Sequence, residues 1–491
     1  MRRWLLPLLA ATALTACTSL EPPYVQPASP VPPSWPVGDA YLRQSEASLP
    51  TVGYRDIFRD PKLQALIAQA LGNSRDLRIA AANIASARAQ YRIQRAERLP
   101  RVDVGADVGL SRSGGSSDGG AGSGGDGTGT GGSGGGIRQS YGVDIGLSAF
   151  ELDLFGRVRS LSNAALQQYF ATEAGARATR LSLVAEVAAA YVTLASDRSL
   201  LAIARDTESN ARRSVELTGA RLRGGIAPRT DLRQAETVLF QAVSDIAELT
   251  AVVAQDRNAL QLLVGAPVDD TLLPSGIESV DPLLGELPAG LNSRILLRRP
   301  DVVQAEYLLR AANARIGAAR AAFFPTISLT ALTGLASNAL GSLFSSDAFN
   351  FRVAPSLSLP IFDAGGRRAN LAFTQAQRQL ALAQYERAIQ VAFREVSDAL
   401  ARRGTIGAQA AAQTSLVASA RDNYVLTNAR YRGGIDTFLT SLDAQRTLYS
   451  AQQNLVLARR ARAENLVVLY RSLGGDSLME VPEQNLTNGS R

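Results

Sequence analysis

Two stretches of this chain, Arg157 to Arg223 and Arg367 to Arg432, run for an unusual distance without proline or a strong helix breaker. At about 1.5 Å per residue, each predicts a helix roughly 100 Å long. Helices in compact globular domains average only three turns or so, and an elongated assembly is therefore expected. Alanine, leucine, glutamine and arginine dominate the sequence from Asp60-Pro61 onward, a composition that favours helix. At 491 residues there is enough chain for about three domains, so burying a core is no obstacle.

Each long stretch ends in a short break, Arg223-Gly224-Gly225-Ile226 or Arg432-Gly433-Gly434-Ile435, and a second helical pattern follows. From Thr230 to Gly265 a 3-4 repeat passes through Leu232, Ala235, Leu239, Ala242, Ile246, Leu249, Val253, Asp256, Leu260 and Leu263. All but Asp256 are apolar, which is the pattern of a coiled-coil seam. The corresponding stretch from Asp436 to Leu473 is more mixed.

Four other segments alternate with period two. Val102, Val104, Ala106, Val108 and Leu110 oppose Asp103, Gly105, Asp107 and Gly109; Tyr141, Val143, Ile145, Leu147 and Ala149 oppose Gly142, Asp144, Gly146 and Ser148. Ile327, Leu329 and Ala331 oppose Ser328 and Thr330; Phe349, Phe351, Val353, Leu357 and Leu359 oppose Asn350, Arg352, Ser356 and Ser358. Each reads as a strand with one apolar and one polar face, long enough to cross a bilayer at a tilt. Residues 321 to 346 carry no charge, but Pro325, Gly334, Gly341 and many Ser and Thr argue against a transmembrane helix there. Between the first two strands, residues 113 to 136 include 14 Gly and 5 Ser. This composition predicts a flexible exposed loop, and it lacks the Lys-Ser/Thr terminus of a phosphate-binding loop.

The chain has no His and one Cys, which removes His-based catalysis, His-ligated metals, Cys₂ and Cys₄ zinc sites and any intrachain disulfide. With no Ser-Lys or paired-carboxylate constellation either, no enzyme activity, metal or cofactor is expected. The net charge of +7, from 51 basic and 44 acidic residues, is spread along the chain and predicts solvated faces rather than nucleic-acid binding. At the N-terminus, Arg2-Arg3, an apolar run and Leu14-Thr15-Ala16-Cys17 form a secretory signal. Leu-Thr-Ala-Cys resembles a lipobox, which implies that Cys17 becomes the mature N-terminus, with S-diacylglycerol and N-acyl chains as its only covalent additions. Thr18 differs from the Asp that resembles an inner-membrane retention signal, and outer-membrane sorting is expected. A proline-rich arm follows.

Four strands with two open edges cannot cross a membrane alone, because every backbone polar group in hydrocarbon must be paired. The chain is expected to oligomerise, and three copies would close a barrel of twelve strands around a polar lumen. An internal repeat agrees with this reading. Leu99-Pro100 matches Phe324-Pro325, Phe155-Gly156-Arg157 matches Phe362 through Arg367, and the two Arg-Gly-Gly-Ile turns match each other. The expected organisation is a signal at 1–16, a lipidated arm at 17–60, a first repeat at 61–265, a linker at 266–299, a second repeat at 300–473 and a tail at 474–491. Within the repeats the strands fall at about 101–112, 139–152, 326–336 and 349–361. The hairpin helices fall at 157–223, 230–264, 367–432 and 436–473.

The run Arg298-Arg299-Pro300-Asp301-Val302, with Ala305-Glu306 and Ala319-Arg320-Ala321-Ala322-Phe323-Phe324-Pro325, resembles the TolC-like outer membrane factor family. More narrowly, it resembles the outer membrane lipoproteins of resistance-nodulation-division efflux systems. Glu151-Leu152-Asp153-Leu154-Phe155-Gly156-Arg157, Leu359-Pro360-Ile361-Phe362-Asp363 and Leu442-Asp443-Ala444-Gln445-Arg446 are similar to motifs of the same family. Phe150 stands where many relatives carry Trp, another interfacial aromatic. The resemblance, from Cys17 to about Gly475, implies a mixed α and β membrane protein: a homotrimer with a twelve-stranded outer-membrane β-barrel, four strands per chain, continuous with a periplasmic α-helical coiled-coil barrel. It implies an exit duct for drugs, metals or other small molecules, working with a periplasmic membrane-fusion adaptor and an inner-membrane transporter. The alternatives are a duct for type I protein secretion and a structural coiled-coil lipoprotein.

Two sets of site residues follow from that resemblance. Arg221, Arg223, Gly224 and Gly225, with Tyr431, Arg432, Gly433 and Gly434, close the hairpins and are expected to meet the adaptor. Asp443, a little over two turns past Gly434, is expected at the periplasmic gate, with Arg446 as its counter-charge. Thr440 and Leu439 lie beside it, and whether such a gate is electrostatic or apolar stays open.

Overall fold

The computed structural model describes residues 19–36, 38, 53–112, 137–280 and 293–475. Cys17, the signal at 1–16, the glycine-rich loop at 113–136 and the tail from 476 onward lie outside the described residues. The elements are α1 (Tyr54–Ile57), α2 (Pro61–Asn73), α3 (Arg75–Ala96), β1 (Asp103–Arg112), β2 (Ile137–Glu151), α4 (Arg157–Arg223), α5 (Arg229–Val264) and α6 (Ile277–Val280). They continue with α7 (Pro300–Ala321), β3 (Thr326–Ser337), β4 (Phe349–Ser358), α8 (Gly366–Arg432) and α9 (Phe438–Ser472). Two compact units result, one of residues 1–25, 87–168 and 309–380, the other of 26–86, 169–308 and 381–491.

The first unit holds a four-stranded antiparallel sheet in the order β1-β2-β3-β4, with β1 and β4 at its edges. Its register lines up apolar residues in rows across the strands. Val104 pairs Ile145, which pairs Thr333, which pairs Phe351; Ala106, Val143, Leu335 and Phe349 form the next row. These rows are open to the surroundings: Val104 is 72% exposed, Phe351 73% and Leu357 65%. The other face carries Asp107, Asp144, Asn350, Arg352 and all five strand glycines, Gly105, Gly109, Gly142, Gly146 and Gly334. Side chains from opposite strands lie over the bare Cα atoms. A Cβ at Gly142 would come within 2.3 Å of Asp107 Oδ1, and one at Gly105 within 3.2 Å of Asp144 Oδ1.

One strand departs from simple alternation. Between Leu147 and Phe150 the register of β2 slips by one residue, Ala149 takes φ 51°, and its N–H donates to Thr330 Oγ1 at 3.1 Å. This β-bulge puts Phe150, opposite Leu329, on the apolar face in place of Ala149. The strand ends also move. β1 begins at Asp103, leaving Arg101 and Val102 outside, and β2 begins at Ile137, where it still pairs with Arg112. β4 ends at Ser358 rather than 361, because Pro360 has no N–H to give the ladder and Asp363 opens a helix. The Asp363 carboxylate accepts from the N–H of Gly365 and of Arg367 at 3.0 Å each, so α8 begins at Gly366.

Residues of the N-terminal arm pack against this unit. Glu21 accepts from Asn163, the Pro22 carbonyl from Asn313 at 2.7 Å, and the Leu20 carbonyl from Arg320. Gly156, at φ 74°, leaves room for Ser19, whose Cα would lie 3.1 Å from a Cβ there. Nearby, Phe155 stacks on Phe324 at 4.6 Å.

The second unit is helical. Its core unites Ile57, Phe58, Leu63, Leu66 and Ile67 with Tyr191 and Leu194 of α4, Leu260 and Val264 of α5, Ile277 of α6 and Leu466 and Tyr470 of α9. The packed body therefore starts at Tyr54, inside the expected arm, because Tyr54, Ile57 and Phe58 are all buried. Asp60 caps α2 through the Lys62 N–H and accepts from the Tyr191 hydroxyl at 2.8 Å, so burial and this carboxylate push the tyrosine pKa up. Arg299, only 6% exposed, meets Asp301 at 2.8 Å, Glu395 at 2.9 Å and the Ser472 carbonyl at 2.9 Å, tying the start of α7 to α8 and the end of α9. All ten seam residues of α5 are buried or half-buried, Asp256 among them.

Candidate functional site: the hairpin tips

α4 and α5 form one hairpin and α8 and α9 a second, and their turns share one backbone design. Gly225 and Gly434 take φ 74° and 76°; the N–H of Gly224 donates to Ala220 O and that of Gly433 to Ala429 O, each at 3.0 Å. Ile226 and Ile435 then donate to Arg221 and Arg430 carbonyls at 2.9 Å. Only the second glycine of each pair needs the left-handed conformation. The first is not forced by space either: a Cβ at Gly224 or Gly433 would meet nothing closer than 3.4 or 3.5 Å.

The tips are bound to each other by groups far apart in sequence. The Arg221 guanidinium donates to the carbonyls of Tyr431, at 3.2 Å, and Arg432, at 3.1 Å, and lies 4.4 Å over the Tyr431 ring. Beneath it, Tyr431, Phe438 and Leu442 pack with Ala211, Ala235 and Val238, so all four helices contribute to one small core. Arg430 holds Asp436 by two bonds, at 2.6 and 2.9 Å, which keeps the carboxylate pKa below its usual range. Asp436 is thus part of the turn, and α9 starts at Phe438, capped by Thr437, rather than at 436. Similarly, Pro228 is the extended residue before α5, which begins at Arg229 rather than 230. Further up, the Tyr449 hydroxyl donates to Asp245 at 2.6 Å, joining α9 to α5.

The expected gate residues lie on the first turns of α9. Leu442, Ala444 and Gln445 are buried, so Leu439, Thr440, Asp443 and Arg446 point outward from the protomer, and Leu439 is 58% exposed. Leu439, Asp443 and Arg446 share one face by their i, i+4, i+7 spacing. Asp443 and Arg446 do not pair: among the described residues neither makes an ion pair, and the expected counter-charge contact is absent from the protomer. Sequence reading also missed the Arg430–Asp436 and Arg221–Tyr431 contacts. The first leaves only the signal of opposite charges six residues apart, and the second no local signal at all. At the outer surface of the tips, Ile226 and Ile435 are 80% and 67% exposed. They sit inside the Arg-Gly-Gly-Ile motif without having been singled out.

A sheet with an outward apolar face, joined in the same chain to two long helical hairpins, defines an outer-membrane channel protein. The outer membrane efflux protein family model matches residues 66–266 and 291–475, and the chain belongs to that family. It is 44% identical over 476 residues to the solvent efflux pump outer membrane protein SrpC of Pseudomonas putida, covering 96% of this chain and 97% of that one. It is 43% identical over 486 residues to the antibiotic efflux pump outer membrane protein ArpC of the same species, covering 97% and 96%. Among solved structures, the open state of the Neisseria gonorrhoeae MtrE outer membrane channel aligns with a TM-score of 0.80 and 36% identity, covering 93% of this chain and 98% of that one. The protein is an outer-membrane efflux channel.

Proposed function

We propose that three copies of the chain form the exit duct of a tripartite efflux pump, each giving four strands to a twelve-stranded barrel and two helical hairpins to a helical barrel. The observation that carries this reading is the sheet. Its apolar rows are uncovered, and the edges at β1 and β4 have no partner strand among the described residues. In hydrocarbon those edges must be paired, and β4 of one copy against β1 of the next pairs them all. α5 supports the same conclusion: of its most apolar 18 residues only 6% are buried by the chain itself, leaving Phe240 and Val243 to be covered by a neighbour.

The inner-membrane transporter and the membrane-fusion adaptor complete the pump in this reading. The adaptor meets the tips at Arg221, Arg223, Gly224, Gly225, Tyr431, Arg432, Gly433 and Gly434. Gly224 and Gly433 support this assignment, because the fold of the protomer asks for glycine at neither. Around the threefold axis, Leu439, Thr440, Asp443 and Arg446 line the gate, and an Arg446 without an ion pair among the described residues is available to a neighbouring copy. The relatives' names point to organic solvents and antibiotics as the class of cargo.

Ser19 supports a lipid anchor at Cys17, since it packs beside Gly156 at the junction of β2 and α4, where the sheet enters its helix. The test of the assembly is native mass spectrometry from detergent, with chemical cross-linking in membranes as a second measure. A trimer is expected, and a stable folded monomer would overturn the reading.

A further inference from the structure

One charged cluster lies away from the tips and the sheet, where α4, α5 and α9 meet. Asp256 occupies the only polar position of the α5 seam, between Val253 and Leu260, both of which pack into the helical core. Its Oδ2 is buried, and no N–H or O–H donor reaches it. Its carboxyl instead meets that of Asp197 on α4, a residue 7% exposed. From α9, Arg460 approaches Asp197 at 3.9 Å but is also held by Glu464 at 2.7 Å. Three acids therefore face one base. The remaining charges nearby are engaged elsewhere: Arg257 with Asp270, Arg198 with the Pro274 carbonyl, and Arg459 with Glu278.

Two carboxylates in contact cannot both be ionised cheaply, least of all when one is buried and their shared cation is divided. We propose that Asp197 and Asp256 hold one proton between them, and that its uptake or loss locks or releases α5 against α4 and α9. With the proton in place the carboxyls bond across the helices and the seam is continuous. Without it, two like charges sit in the seam at the point where Val253 and Leu260 should hold it shut. Burial and the Asp197 carboxylate raise the Asp256 pKa from 3.8 to about 6, which puts the change between mildly acidic and neutral conditions. The sign follows from linkage: an acid whose folded pKa is raised destabilises the docked helix as pH climbs through that value and has no effect well below 3.8. The device lies within one protomer and does not depend on the number of copies in the assembly.

Hydrogen exchange of the intact protein in detergent, corrected for intrinsic rates, tests this at pH 5 and pH 8. In the parent, protection of the α5 segment around residues 249–262 should fall on the order of tenfold between the two, after allowing for partial solvent screening. In Asp256→Asn, protection should be high at both pH values. Asp256→Leu, which completes the apolar seam, should do the same, and serves if the Asn variant does not assemble. A parent whose α5 protection is independent of pH overturns the proposal. So does a variant that keeps the parent's pH dependence.

Discussion

At the residue scale, function turns on side chains that the protomer leaves unused. Among the described residues Asp443 and Arg446 make no ion pair, whereas Arg430, Asp436, Arg221 and Tyr431 at the hairpin tips are bound at close range. In the proposed assembly this bare face of α9 is the one offered to neighbouring copies. The proposed trimer would gather Asp443 into a ring of three carboxylates, so Asp443→Ala should weaken block by multivalent cations several-fold, because the groups that bind them would be gone. Arg446→Glu should raise resting conductance by adding repulsion to the closed state. Single-channel current in planar bilayers, before and after a trivalent cation is added on the periplasmic side, reads both. If both variants behave like the parent, these residues are solvated surface and the constriction lies elsewhere.

At the scale of elements, the hairpin turns separate what folding needs from what contact needs. Gly434 takes φ 76°, and Ala there should cost about 1 kcal/mol and lower the melting temperature. Gly433→Ala should leave stability nearly unchanged while weakening capture of the adaptor in cross-linking. Equal melting losses for both would show that the first glycine is structural too. The elements differ in how far the sequence announces them. Periodicity is a local property, so the α5 seam could be read at all ten positions, including its single Asp, and the four strands by their alternation. The bulge at Ala149 was hidden because alternation before and after it is equally regular, and only pairing with Thr330 reveals the slip. The clasp of Arg221 on Tyr431 joins residues 210 apart and depends on the folded hairpins coming together. The hairpin turns were legible from their repeated Arg-Gly-Gly-Ile, whereas the expectation of a gate at Asp443 came from family motifs alone, since an exposed Asp on a helix has no distinguishing pattern of its own.

At the scale of the whole molecule, the chain is an efflux channel of the outer membrane, and the remaining question is how it is held there. Residues 19 to 25 are fixed along α4 and α7 by Asn163, Asn313 and Arg320, with Tyr24 beneath Arg310 at 4.7 Å. An acyl chain on Cys17 would act on a tether already fastened two residues later, and would add membrane affinity without deciding the fold. Cys17→Ser should therefore abolish lipidation and processing at that site, read as the mass of the mature N-terminus, while the barrel still inserts. Cleavage elsewhere in the parent, or an unmodified Cys17, would exclude the anchor.

Two glycines of the sheet govern how closely its central strands approach. A Cβ at Gly146 would sit 2.1 Å from the Ala331 carbonyl oxygen, and one at Gly334 2.2 Å from that of Val143, so at these two positions β2 and β3 approach more closely than any side chain allows. Both crowded atoms belong to the facing backbone, so neither can swing aside to make room. A bulkier residue at either position would have to force β2 and β3 apart, and in the proposed trimer that misfit would recur in every copy around the ring, so the fit of the barrel is written partly in two missing side chains.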